Sequence, residues 1–327
     1  MKIVFSDAAL AKTGAVVVLA VEGAAKSDAA VARLTPTGAT LDSEWGGAIS
    51  RAVAAARFKG GKGKALSVFA PVAGGPSVVV VAGLGKAEKI DALAAEAAGG
   101  AAYAELARGG DTAAALAVEL PKGARKLRLA DFAAAVAFGA RLRSYRFDKY
   151  RTKEKAEDKP KLAILTLHVK GAAAARRTYA PYEAVGEGVV LTRDLASEPA
   201  NVIYPESLAR EAQKLGKLGV KVEVLDEKKM KQLGFGALLG VAQGSARPPR
   251  LVVMRWSGGP RTGPKAQPIA ILGKGVTFDS GGISIKPSKG MEDMKWDMGG
   301  AGVVIGLMKA LAGRKARTNV VGVIGCV

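Results

Sequence analysis

The chain has 327 residues, 49% hydrophobic but only 5% aromatic, enough for two domains whose cores rest on Ala, Val, Leu and Ile. Its single cysteine, Cys326, excludes an internal disulfide, and the apolar stretch Ala15 to Val21 is too short to span a bilayer. A net charge of +20, from 49 Lys+Arg against 29 Asp+Glu, fits either a nucleic-acid surface or the solvated basic face of a soluble enzyme. No helix-turn-helix, zinc finger or aromatic-basic interleaving supports the first. The opening MKIVFSD enters globular pattern without a secretion signal, so a cytoplasmic protein without a membrane segment is expected.

From Met1 to about Arg151, strand-like and helix-like stretches alternate. Ala15 to Val21, Leu66 to Ala70 and Ser77 to Leu84 read as strands. The last holds Val78 to Val81 in succession, as a strand buried on both faces does. Helical patterns follow at Ile90 to Arg108 and Ala130 to Tyr145, with Asp131 placed to charge the start of the second. Gly83-Leu84-Gly85-Lys86 lacks the full phosphate-loop pattern and reads as a turn. Together these predict an N-terminal α/β domain with a partly parallel sheet, residues 1–170.

Arg146 to Lys161, RFDKYRTKEKAEDKPK, is charged and nearly free of branched apolar residues, and reads as a basic linker. The strand Leu162 to Val169 follows and carries the only histidine, His168, which reads as structural. Residues 171–327 form the second predicted domain. Ala172 to Leu195 is a long helix in which Pro181 predicts a kink or a start. Next come a helix from Glu206 to Leu218, a strand from Val220 to Leu225, a short helix from Glu227 to Leu233 and a glycine-rich stretch to Gly244. A strand from Leu251 to Trp256 precedes a Gly/Pro-rich turn, Ser257 to Pro264. This order predicts a doubly wound sheet.

The apolar run Pro268 to Leu272 reads as a buried strand feeding a polar loop, and helix signals resume at Gly299. Between them lie Lys274, Asp279, Lys286 and Asp297, with Gly281-Gly282 free to take backbone angles closed to other residues. Two carboxylates are hard ligands suited to Mg²⁺, Mn²⁺ or Zn²⁺, and a neutral lysine amine can join them. On spacing alone, this is either a cation site or a surface loop with ordinary ion pairs.

The block GKGVTFDSGGISIKPSKGMEDMKWDMGGA resembles the first metal-binding segment of the leucyl aminopeptidase (cytosol aminopeptidase) family, and Thr192 to Ala209 resembles the segment opening that family's catalytic domain. The resemblance implies that Lys274, Asp279 and Asp297 are metal ligands and that Lys286 is catalytic. It implies that Met294 lines the pocket for the substrate's first side chain, while Met291 and Met298 read as core. It further implies two divalent ions, Mn²⁺ or Zn²⁺, peptide substrates cut at their first bond, and a homo-hexamer when complete.

The family's second signature, Asn-Thr-Asp-Ala-Glu-Gly-Arg-Leu, has no equivalent here, so an incomplete catalytic domain with impaired activity is expected. The last strand, Asn319 to Val327, is expected to be an open, aggregation-prone edge. The alternative function is a DNA-binding or assembly protein built on the same fold.

Overall fold

The computed structural model describes residues 1–23, 31–263 and 266–327. These divide into two compact units, Met1–Tyr182 and Glu183–Val327.

In chain order, the first unit contains β1 (Lys2–Ser6), β2 (Gly14–Val21), β3 (Arg33–Leu34), α1 (Pro36–Glu44), α2 (Ala48–Ala55), β4 (Ala65–Phe69) and β5 (Pro76–Gly83). Then come α3 (Ala92–Leu106), β6 (Ala113–Ala117), α4 (Leu129–Arg143), β7 (Ile164–His168) and the start of α5 (Ala172–Ser197). The sheet runs β1-β7-β6-β2-β5-β4, with β3 attached to the end of β2. It is parallel except for β4 and the short β3. Val16, Val18 and Ala20 of β2 meet Leu41 of α1 and Ile49 and Val53 of α2. By strand alternation Val17 and Leu19 face the other side, where α3 runs over β5. With so few aromatics, α3 and α4 fill that side by close approach of their backbones. A Cβ on Gly99 would collide with the Val136 carbonyl, and one on Gly139 with the Glu96 carbonyl.

Two sequence expectations change here. The charged stretch Arg146 to Lys161 is not a linker between units. It is a connection within the first, because β7 returns to the sheet between β1 and β6. The division also falls at Tyr182/Glu183 rather than at 170/171, inside α5, which runs unbroken through Pro181. His168 ends β7 with Nδ1 3.0 Å from the Ala8 carbonyl oxygen, a structural placement.

The second unit continues with α6 (Pro205–Gln213), β8 (Lys221–Leu225), α7 (Glu227–Gln232), α8 (Gly236–Ala242), β9 (Arg250–Ser257), β10 (Ile269–Gly275), α9 (Gly299–Gly313) and β11 (Asn319–Cys326). Pro264, the end of the expected Gly/Pro turn, lies outside the described residues. The sheet order is β10-β11-β9-β8, parallel between β10 and β11 and antiparallel elsewhere. Val320, Ile324 and Cys326 of β11 pack with Val304, Ile305 and Met308 of α9. On the other face, Met230 of α7 lies with Leu225 and Leu251, and Leu238 of α8 and Val323 pack against them. Helices therefore cover both faces. Burial pushes the Cys326 thiol up to about 12, which leaves it unreactive.

Strand placement overturns two expectations. β11 is not an edge, since β10 flanks it on one side and β9 on the other. The edge is β10, and it is not buried. Ile269 is 60% and Leu272 75% exposed, because β11 is its one partner among the described residues.

Candidate metal centre

The site begins where β10 meets the start of α9. Gly273 lies so close to Gly300 that a Cβ there would strike the Gly300 carbonyl. That contact sets Lys274, the next residue, beside the 3₁₀ segment Met291–Met298 that leads into α9. Its Nζ stands 2.7 Å from Asp297 Oδ2. This oxygen is buried, and the Lys274 ammonium is the charge that faces it. A buried carboxylate requires a positive partner, and here the lysine provides it.

The second half of the site is a turn. Lys286 N–H donates to the Ser280 carbonyl at 2.9 Å and closes it. Gly281 makes the closure fit, with φ at +94° and no room for a Cβ against the Ser284 carbonyl. Asp279 Oδ1 accepts the Gly281 N–H at 2.9 Å, and Oδ2 lies 2.7 Å from Lys286 Nζ. The hydrogen bond from Lys286 holds the Asp279 carboxyl below the usual carboxylate range, helped by the Gly281 N–H and by the charges of Lys286 and Lys274. Lys286 Nζ also donates to Met294 Sδ at 2.9 Å.

All five predicted site residues therefore gather on this one segment. Lys274 pairs with Asp297, while Lys286 pairs with Asp279 and touches Met294. Of the other methionines, Met298 is buried in the core under α9. Met291 instead lines an open recess of about 550 Å³ with Phe278, Pro199 and Ala200. Among the described residues, no group of three or more His, Cys, Asp or Glu could hold a metal. The segment thus holds two carboxylates, each paired with a lysine ammonium, and a divalent cation could join them only by displacing those ammonium groups or their protons. The sequence reading missed Thr277, a buried polar residue two positions before Asp279. A threonine between apolar neighbours in VTFD was the available signal.

Residues 7–154 match the cytosol aminopeptidase family, N-terminal domain, and residues 190–327 match that family's catalytic domain. A probable cytosol aminopeptidase of Caulobacter vibrioides is 45% identical over 321 residues, covering 98% of this chain and 62% of that protein. One from Rhodopseudomonas palustris is 50% identical over 294 residues, covering 89% of this chain and 57% of that protein. The chain thus spans about three fifths of the length of these curated relatives. Among solved structures, a mutant tomato leucine aminopeptidase superposes with a TM-score of 0.79 at 28% identity, covering 99% of this chain and 62% of that one. The bottromycin maturation enzyme BotP in complex with Mn gives 0.73 at 30% identity, covering 96% and 59%. No helix among the described residues is long and apolar enough to cross a membrane.

Proposed function

Because the chain belongs to the cytosol aminopeptidase family, we propose that it serves the release of N-terminal amino acids, leucine and similar residues, from peptides. The observation carrying this reading is the double pairing Lys274–Asp297 and Lys286–Asp279, each at 2.7 Å, at the carboxyl end of β10. Lys274, Asp279 and Asp297 would hold two divalent ions, Mn²⁺ or Zn²⁺, which when bound supply carbonyl polarisation and an activated water. Lys286 donates to the charge developing on the carbonyl oxygen of the first residue. Losing one such donor costs about 2.7–4 kcal/mol of barrier. Met294, in contact with Lys286, borders the space for the first side chain, and its flexible thioether accommodates varied apolar shapes.

Two carboxylates shared between two dications leave excess positive charge. The 327-residue chain is therefore read as holding metal weakly and turning over slowly. The test is Mn²⁺ binding together with leucine release from a leucyl amide, run beside the Caulobacter relative. Mn²⁺ binding should disappear in Asp279→Asn and Asp297→Asn, and turnover should fall far below the relative's. Binding unchanged in both variants overturns the site, whereas turnover equal to the relative's overturns only the low activity.

A further inference from the structure

β10 gains one more rung beyond Gly275, the last residue it pairs with β11. Val327 N–H donates to the Gly275 carbonyl at 3.1 Å, and Thr277 N–H donates to the Val327 main-chain oxygen at 2.8 Å. The Thr277 hydroxyl donates to that same oxygen at 3.0 Å. Thr277 is buried, while Phe278 and Ser280 beyond it are exposed. Because β10 has no second neighbour among the described residues, this side-chain bond reinforces a rung held from one side only. Two residues later comes Asp279, tied to the turn by Gly281 N–H and to Lys286.

We propose that Thr277 is a positioning residue for the metal centre: its hydroxyl, bound to Val327, fixes where the Ser280–Lys286 turn leaves the sheet and so where the Asp279 carboxylate stands. This rests on reading Asp279 as a ligand. The end of a strand paired on one side frays readily, and a frayed Thr277 lets the turn that carries Asp279 shift relative to β10 and Lys274. A single hydrogen bond of this kind shifts the anchored population about threefold to tenfold. Valine at 277 keeps the branched shape and burial but lacks the donor, whereas serine keeps the donor.

Wild type, Thr277→Val and Thr277→Ser are compared by amide hydrogen exchange over residues 278–286 and by Mn²⁺ titration, read from the paramagnetic resonance of the free ion. Thermal melts confirm equal folding, and Thr277→Ala serves as the deletion if valine does not fold. In Thr277→Val, exchange should quicken and Mn²⁺ affinity fall, each about threefold to tenfold, with Thr277→Ser close to wild type. Wild-type behaviour in Thr277→Val, or equal losses in valine and serine, overturns the proposal. Absence of Mn²⁺ binding in the wild type overturns the ligand reading of Asp279 instead, and the exchange comparison then judges Thr277 alone.

Discussion

Lys286 Nζ and Asp279 Oδ2 stand 2.7 Å apart across a turn that the Lys286 N–H itself closes on the Ser280 carbonyl. The Gly281 N–H takes the other oxygen of the same carboxylate, so an arriving cation competes with a resident ammonium.

Removing that competitor should separate binding from chemistry. Lys286→Gln is expected to tighten Mn²⁺ binding about twofold to fivefold, the range for a partly exposed ion pair. Leucine release should fall in the same variant. Calorimetric titration with Mn²⁺ and a leucyl amide assay check the two halves separately, and weaker binding in Lys286→Gln would argue that the lysine supports the metal.

The edge position of β10 makes a different prediction. Ile269 and Leu272 are largely exposed on a strand with an unpaired side among the described residues, which is a template for edge-to-edge association. Leu272→Lys should lower concentration-dependent light scattering without lowering the melting temperature. The same change at Val323, on the central β11, should unfold the second unit.

In the first unit, stability depends on glycines between α3 and α4. Gly99→Ala places a Cβ against the Val136 carbonyl and should cost about 1–3 kcal/mol or more. Gly100→Ala meets nothing nearer than 3.6 Å and should gain up to about 1 kcal/mol from helix propensity. Chemical denaturation of the pair gives the contrast, and equal effects would mean that the helices do not touch at Gly99.

Glu96, on α3, supplies a pH dependence away from the metal centre. Burial raises its carboxyl above the ordinary 4.5, Asp91 raises it further, and Lys62 offsets part of this. A raised carboxyl favours the folded state fully below the ordinary glutamate value and loses that contribution as pH climbs through the raised one. Glu96→Gln should therefore match wild type below about pH 4.5 and melt higher than wild type near neutrality. Melting curves across pH 4 to 8 check this (about 4.5 being the crossover).

Local pattern carried a good part of the architecture. Val78 to Val81 reads as a doubly buried strand and is one, since an unbroken run of branched residues has few other solutions. Ala113 to Ala117 gave no strand signal, because alanine favours helices; its place between β2 and β7 makes it β6. Gly236 to Ala242, read only as glycine-rich, forms α8 against β9 and β11 through Leu238.

The sequence by itself determined the family, the two-part α/β plan and the one segment holding Lys274, Asp279, Lys286, Met294 and Asp297, because these lie within a short span whose residue types are chemically specific. Only the tertiary structure decided that β11 is central and β10 is the exposed edge, that the units divide inside α5, and that Thr277 is bound to Val327. Those facts depend on which distant strands pair, and an apolar run looks the same along the chain whether one neighbour or two will cover it.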